Sequence, residues 1–309
     1  MHQFEEFTYE SSTGVNQIHA LRCKPEGEVR AVVQIAHGIS EHIGRYCNFM
    51  TYLAEQGFVV AGNDHRGHGR SAVREEEKGV FYPKDGWNHA VQDMVQLHEQ
   101  MSRDYPGKKY ILLGHSMGSF LTRTYLADYP DKYDMAILSG TGHQNKMLIG
   151  FGNMIADGII RKNGYVSDGT ALCKLTMGNY LKKIDSPKTP FDWLSCDDEM
   201  NRIYTEDPLC GFTASTGMYA DMLKGIRYVT DMKNITRMNR EKPVLFVSGR
   251  EDPVGDYGKG VERAYACFKK AGLKDVTMKL YKDGRHEMLN EVNRDEVYAY
   301  ILAWISERI

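Results

Sequence analysis

Short apolar runs alternate with longer helical patterns along most of this chain. The runs predict eight strands: Phe4 to Tyr9, Ile18 to Lys24, Ala31 to Ala36, Phe58 to Ala61, Tyr110 to Leu113, Met135 to Leu138, Val244 to Val247 and Val276 to Tyr281. Helical periods follow at Tyr46 to Gln56, Val91 to Met101, Phe120 to Tyr129, Val261 to Ala271 and Asp295 to Arg308. Strands separated by helices of this length indicate βαβ units, and hence a mostly parallel central sheet flanked by helices in the α/β class.

The alternation stops between two of these strands. Residues 141–236 show helical and loop patterns without a convincing buried strand, and the strand pattern then resumes at Val244. We therefore expect residues 1–140 and 237–309 to form an α/β core, with residues 141–236 as a mainly helical insertion. Because the insertion leaves and re-enters the core at neighbouring strand ends, we interpret it as a cap over the sheet edge. An independent domain is the alternative.

Composition excludes several classes of protein and partner. The 309 residues carry a formal charge of −2, too little to attract nucleic acid or an anionic membrane through bulk electrostatics. The first residues, Met1 to Glu6, are acidic where a secretory signal would be basic, and glycines interrupt the apolar stretch Met147 to Ile160. Six cysteines show neither a CxxC pair nor a Cys/His metal spacing. These features predict a soluble cytoplasmic protein with reduced thiols and no metal site.

The strongest chemical motif is Gly114-His115-Ser116-Met117-Gly118. It follows the strand Tyr110 to Leu113 directly and begins a helix near Met117. A serine at such a strand-to-helix turn is held in strained backbone geometry, facing the unpaired N–H groups and the positive end of the helix dipole. We predict that Ser116 is a nucleophile.

A serine nucleophile needs a base and a carboxylate that orients the base. Asp252 follows the strand Val244 to Val247, and His286 follows the strand Val276 to Tyr281. The order Ser116, Asp252, His286 is the one expected when a serine lies at this kind of turn. These three residues form the predicted triad, with Glu251 as the competing acid.

An oxyanion hole requires two backbone donors close to the serine. We assign one to the N–H of Met117, which follows the nucleophile. The loop after the third strand, His37-Gly38-Ile39-Ser40-Glu41-His42, turns at Gly38 and supplies the second donor at Ile39. His37 and His42 are interpreted as hydrogen-bonding supports of this loop.

Three segments together resemble the monoacylglycerol lipase and lysophospholipase branch of the α/β-hydrolases. They are His37 to His42 followed by Arg45-Tyr46, Asn63 to Ser71 (NDHRGHGRS), and Gly114 to Ser119. The resemblance extends to the strand-end Asp252 and His286. It implies an α/β-hydrolase fold, serine-dependent hydrolysis of small acyl esters without a cofactor, and the same triad and oxyanion donors. We interpret the NDHRGHGRS segment as structural.

Apolar residues in the proposed cap indicate where an acyl chain would bind. Met147, Phe151 and Ile155 recur at four-residue spacing on one helical face. We expect this face to line an acyl site together with Phe212 and Val254, and the cap to make at most transient contact with a membrane surface. Packing for stability alone is the other interpretation of the face. The oligomeric state stays open.

Two other functions share parts of this pattern. A prolyl aminopeptidase-like peptidase would use the same triad and would need cap carboxylates for a substrate amine, for which Asp197, Asp198 and Glu199 are available. A hydrolase-like ligand receptor would keep the pocket without catalysis, but the complete triad and both oxyanion segments argue against it.

Overall fold

The computed structural model describes residues 4–309, and its centre is one eight-stranded sheet. The strands are β1 (Phe4–Glu10), β2 (Gln17–Cys23), β3 (Ala31–Ala36), β4 (Phe58–Asn63), β5 (Lys109–His115), β6 (Met135–Ser139), β7 (Val244–Gly249) and β8 (Val276–Tyr281). Their spatial order is β1-β2-β4-β3-β5-β6-β7-β8. β2 pairs antiparallel with β1 and β4, whereas all the other pairs are parallel. The predicted α/β class and mostly parallel sheet are confirmed.

Ten α-helices accompany this sheet in the described residues. They are α1 (Cys47–Glu55), α2 (Gly86–Asp104), α3 (Met117–Asp128), α4 (Lys146–Asn163), α5 (Thr170–Met177), α6 (Asp198–Glu206), α7 (Thr216–Val229), α8 (Met232–Ile235), α9 (Lys259–Lys270) and α10 (Arg294–Ser306). Apolar side chains of α2, α3 and α9 cover one face of the sheet, and those of α1 and α10 cover the other. Strand β3 illustrates why both faces of the sheet are covered. All of its residues are buried, and successive side chains point to opposite faces, so that Val32 packs on the first face and Val33 on the second.

One helix begins earlier than its apolar period predicts. The pattern indicates a start at Val91, whereas α2 begins at Gly86. The extra turn is held by Trp87, which is buried and donates an indole hydrogen bond to Thr124 Oγ1 at 3.0 Å. Because Asn88 and His89 are polar, hydrophobic periodicity alone does not predict this turn.

Helices α4 to α8 all lie between β6 and β7 in the chain, within residues 141–236, which are called the insertion below. Helix α7 is buried along most of its length and packs against α3 of the core and α4 of the insertion. Gly152 permits the close contact of α4 with α7, because a Cβ there would lie 3.0 Å from Leu223 Cδ1. None of the helices within residues 4–309 is both long enough and apolar enough to cross a bilayer.

Candidate active site

Ser116 occupies a tight turn between β5 and α3. Its φ of 53° and ψ of −122° lie in a region that L-residues rarely adopt. The turn is held by the Ser116 N–H, which donates to Ser139 O at 3.0 Å, and by the Ser119 hydroxyl, which donates to Ser116 O at 2.6 Å. Gly118 is required for the close packing below it, since a Cβ there would lie 2.0 Å from Ala36 O. The strain predicted for this serine is therefore present.

Asp252 and His286 meet at the same edge of the sheet, because they follow the parallel neighbours β7 and β8. Both are almost completely buried, and His286 Nδ1 lies 3.0 Å from Asp252 Oδ1. The Asp252 carboxylate also accepts hydrogen bonds from the Val254 N–H (2.8 Å) and the Ser248 hydroxyl (3.3 Å). Glu251, the competing acid in the sequence, is exposed to solvent.

The surroundings of His286 set both its orientation and its proton affinity. Its ring lies 5.0 Å from the Trp193 ring and 4.6 Å from the His115 ring, measured between centroids. Burial lowers the pKa of His286, but the charge and hydrogen bond of Asp252 outweigh burial and raise that pKa above its usual 6.5. Burial, with the charge of His286, lowers the pKa of His115 to about 4. His115 is therefore neutral at pH 7.

A small cavity of about 80 Å³ joins Ser116 to His286. Ser116 and His286 both line it, although no hydrogen bond joins the Ser116 hydroxyl to His286 in the described chain. Contacts between a nucleophile and its base are often loose without substrate and tighten in the reacting complex. Besides Ser116 and His286, the polar residues lining this cavity are Ser40, Glu41, His115, Tyr204, Thr213, Tyr219 and Glu287.

The loop after β3 (residues 37–42, called the β3 loop below) packs directly on Ser116. A Cβ at Gly38 would lie 3.1 Å from Ser116 Cβ, and Ile39 lines the small cavity beside the serine. Met117, the other predicted donor, is buried at the first position of α3. His37 supports the loop as expected, with Nδ1 2.7 Å from Gly38 O and Nε2 accepting from the His65 N–H at 2.9 Å.

The insertion is bonded to the β3 loop through Ser40. Its carbonyl oxygen accepts from the Tyr204 hydroxyl at 2.8 Å and from the Gly211 N–H at 2.9 Å, while its hydroxyl donates to Phe212 O at 2.7 Å. Ser40 itself has a positive φ of 57°. The segment around Tyr204 to Phe212 therefore helps to fix the loop that lies against the nucleophile.

One group of side chains in residues 4–309 could ligate a metal ion: His42, Asp207 and Cys210, with ligand atoms within 4.8 Å of one another. His42 Nε2 lies 2.8 Å from Asp207 Oδ2, and its Nδ1 accepts from the Gly44 N–H at 3.2 Å. A metal-bound imidazole normally donates its second N–H, but here that nitrogen faces a donor. Burial also raises the pKa of the Cys210 thiol. We interpret the group as a hydrogen-bonded contact between the β3 loop and the end of α6.

A second cavity of about 880 Å³ begins at Ser116 and extends under the insertion. Its apolar lining includes Phe151 and Val254, which were predicted to line the substrate site, and Ile39 and Met117, which were predicted as oxyanion donors. Besides Ser116, its polar and charged lining residues are His143, Gln144, Asn145, Lys146, Thr176, Asp256 and Arg263. The remaining apolar and aromatic wall was mostly not predicted from the sequence and consists of Phe120, Leu148, Ile149, Leu175, Met177, Tyr180, Trp193, Met222, Leu223, Ile226 and Pro253. The apolar spacing of Met222, Leu223 and Ile226 on α7 is the one sequence pattern that could have predicted part of this wall.

Three predicted lining residues lie elsewhere. Met147 is 83% exposed and absent from both cavities, and Ile155 packs against the hydrophobic core instead. Their prediction as members of the large cavity's wall is wrong, because α4 is rotated so that Leu148, Ile149 and Gly152 face inward beside Phe151. Phe212 lines the small cavity rather than the large one.

A mostly parallel sheet, a serine at a strained strand-to-helix turn and a buried His–Asp pair beyond two later strands define an α/β-hydrolase. The family described as serine aminopeptidase, S33 matches residues 27–293, and the chain belongs to that family. The resemblance to the monoacylglycerol lipase and lysophospholipase branch is also confirmed by its relatives.

Two of the similar proteins are monoacylglycerol hydrolases by name. The monoacylglycerol lipase of Mycolicibacterium smegmatis is 28% identical over 91% of this chain and 90% of its own. The monoglyceride lipase of Homo sapiens is 28% identical over 92% of this chain and 85% of its own. A solved structure, the thermostable carboxyl esterase of Bacillus coagulans in complex with glycerol, superposes with a TM-score of 0.92 at 29% identity, covering 100% of this chain and 99% of that one.

Proposed function

We propose that this protein is a serine carboxylic-ester hydrolase that acts on monoacylglycerols or lysophospholipids. The observation that carries the proposal is the position of Ser116, which lines both a large apolar cavity and a small cavity with polar walls. An ester bond placed at the serine would have its acyl chain on one side and its alcohol on the other. The names of the relatives and the similarity to a carboxyl esterase support the same reaction.

The chemistry follows from the positions of the proposed triad. The Ser116 hydroxyl attacks the acyl carbonyl while His286 Nε2 takes its proton, and Asp252 stabilises the imidazolium through the Nδ1–H. The backbone N–H groups of Ile39 and Met117 stabilise the oxyanion. His286 then gives the proton to the departing alcohol, leaving an acyl-enzyme on Ser116. A water molecule, deprotonated by His286, hydrolyses that ester and restores the serine.

Substrate preference is assigned to the two cavities. The large cavity provides an apolar wall for an acyl chain, and each buried methylene would contribute up to about 0.8 kcal/mol. The small cavity, with its hydroxyl and imidazole groups, suits a head group that bears hydroxyls. In this proposal residues 141–236 act as the cap that closes over the acyl chain.

The outer surface of α4 suggests how a lipid could reach the site. Met147 and Met154 are exposed on this helix and line neither cavity, whereas Leu148 and Phe151 line the large cavity and are still more than half exposed. Arg161 and Lys162 follow in the last turn of the helix. We propose transient contact of this surface with a membrane. A cytoplasmic location is also part of the proposal, supported by six cysteines that are all free thiols.

The family description favours aminopeptidase activity as a second candidate. The carboxylates considered for a substrate amine are engaged elsewhere: Asp197 caps α6, Asp198 pairs with Lys188, and Glu199 pairs with Arg202. None of the three lines either cavity. The small cavity does contain Glu41 and Glu287, but both are bonded to Arg45. This placement favours the esterase.

A single substrate panel separates the two functions. Monoacylglycerols, lysophospholipids, p-nitrophenyl esters and aminoacyl amides are each tested with the wild-type protein and with Ser116→Ala. We expect Ser116-dependent turnover of the esters. Turnover of aminoacyl amides in preference to every ester would contradict the proposal and support the peptidase.

A further inference from the structure

We infer that Arg45 is a positioning residue that holds the base and the oxyanion loop in one fixed relation to each other. The inference rests on the proposed function, in which His286 is the base and the β3 loop supplies an oxyanion donor. Arg45 itself touches neither Ser116 nor the proposed reacting atoms. It acts through two carboxylates, one beside each half of the site.

The Arg45 guanidinium is buried between these carboxylates. Its Nη1 and Nη2 donate to the two oxygens of Glu287 at 2.5 and 2.6 Å, and Nη1 also donates to Glu41 Oε2 at 2.6 Å. Its planar group lies over the Tyr204 ring, 4.6 Å from the centroid. A two-point contact of this type fixes orientation as well as distance, which a lysine ammonium cannot do.

Glu41 connects Arg45 to the β3 loop by hydrogen bonds. Its second oxygen, Oε1, accepts from the Gly38 N–H at 2.5 Å and from the Tyr46 hydroxyl at 2.9 Å. Gly38 is the residue that packs on Ser116 and precedes the proposed donor Ile39. A shift of the Glu41 side chain would therefore shift the backbone beside the nucleophile.

Glu287 connects Arg45 to the proposed base, His286. It follows His286 directly in the chain, and its backbone N–H donates to Leu194 O at 2.7 Å. Asn290 Nδ2 adds a hydrogen bond to its carboxylate at 2.9 Å. The bidentate bond to Arg45 thus fixes the backbone immediately after the histidine.

Charge provides a second connection between Arg45 and the base. The charged and titratable groups that act on His286 are Asp252, Glu287 and Glu41, with His115 and Arg45 alongside. Burial raises the pKa of Glu287, but Arg45 outweighs burial and brings it down to about 2, so this carboxylate is ionised. Without the guanidinium, the negative charge near His286 would be less balanced. The imidazolium would then persist to higher pH.

The chain contains a matched control. Arg22 is also largely buried and also bridges two carboxylates, Glu5 at 2.9 Å and Asp104 at 2.5 Å. It lies on β2 at the antiparallel end of the sheet, and it lines neither cavity. Loss of Arg45 takes the cation away from Glu41 and Glu287, and loss of Arg22 takes it away from Asp104 while Glu5 keeps its ion pair with Lys24. Both changes should lower the melting temperature. Only Arg45 connects to the proposed site.

The experiment compares Arg45→Met, Arg45→Lys and Arg22→Met with the wild-type protein. The folded enzyme is counted by fluorophosphonate titration, and kcat and KM for p-nitrophenyl butyrate are measured from pH 5 to 9. Arg45→Met should lower kcat by roughly 10²- to 10³-fold, the loss typical of a displaced oxyanion donor, with KM within about threefold. The acidic limb of its pH profile should move to higher pH. Arg45→Lys should recover part of the kcat, and Arg22→Met should keep all of it.

Arg45→Met with kcat within threefold of wild type would overturn the inference, as would an equal loss in Arg22→Met. If kcat falls but the acidic limb of the pH profile does not move, Arg45 positions the site without an electrostatic effect on the pKa of His286. If Arg45→Met does not fold, Arg45→Lys tests the inference instead, because it keeps the charge and loses only the two-point contact. An unchanged kcat in Arg45→Lys would then overturn the inference. A wild-type protein that neither hydrolyses esters nor reacts with the probe would overturn the proposed function, and this inference with it.

Discussion

Replacing Phe151 by aspartate should weaken the preference for long acyl chains. Phe151 lines the large cavity and is 51% exposed, so up to about half of its surface is available for burial by an acyl chain. Full burial of such a side chain is worth about 1.5–3 kcal/mol, and half of it about 1 kcal/mol, or roughly fivefold in kcat/KM. In the wild-type protein kcat/KM should rise by up to about fourfold per methylene from acetate to octanoate. Phe151→Asp should lose about fivefold or more on octanoate and little on acetate.

Met154→Asp is the matched control for this variant. Met154 is on the same helix and 63% exposed, but it does not line the large cavity. Both variants add one negative charge to α4 and should change its stability to a similar extent. If kcat/KM for p-nitrophenyl esters rises with acyl length at the same slope in Phe151→Asp as in Met154→Asp, Phe151 does not line the acyl site. That result would mean that this face of α4 only packs.

Three further predictions concern the proposed base and its partners. Asp252→Asn should lower kcat by about 10⁴-fold by favouring the wrong tautomer of His286, whereas the exposed Glu251→Gln should have little effect; the reverse pattern would identify Glu251 as the acid. Because the pKa of His286 is raised and the base must be neutral, the acidic limb of kcat/KM should have its midpoint above pH 6.5; a profile flat to pH 5 would argue against a histidine base. Gly140→Ala should lower kcat at least tenfold, because Gly140 has a φ of +57° and a Cβ there would lie 2.9 Å from His286 Cε1; wild-type kinetics in this variant would show that the ring tolerates displacement.

The fold was predictable because its strands are apolar enough to stand out from their surroundings. Residues 31–36 were predicted as a buried strand, and β3 has those bounds with every residue buried. The serine turn was predictable for the same reason, since its motif directly follows the apolar strand β5. Asp252 and His286 could be brought together from sequence alone because parallel strands place their carboxyl ends at one edge.

The wall of the large cavity was less predictable because a helix with apolar residues on several sides does not reveal its partner. Helix α4 carries apolar side chains on both its inner and its outer surfaces. The four-residue spacing of Met147 and Phe151 selected a stripe centred on the outer surface. Contact with α7 through Gly152 determines the true rotation, and a glycine contributes nothing to a hydrophobic pattern.

The contact of Arg45 with Glu287 was not predictable from local pattern, because the two residues are 242 positions apart. In the sequence, Arg45 and Glu287 are charged residues next to a motif, and nothing in the local pattern distinguishes them from exposed ones. Burial distinguishes them, and burial at this site depends on α6 and its Tyr204 ring, which lie in a region where hydrophobic patterns are least informative.

The role of Ser116 as nucleophile is tested most directly by covalent labelling with a fluorophosphonate, followed by peptide mass spectrometry. We expect one labelled residue, Ser116, in the wild-type protein, and no labelling together with at least a ~10⁴-fold loss of ester turnover in Ser116→Ala. A probe bound to a different serine, or ester turnover that survives in Ser116→Ala, would contradict this role.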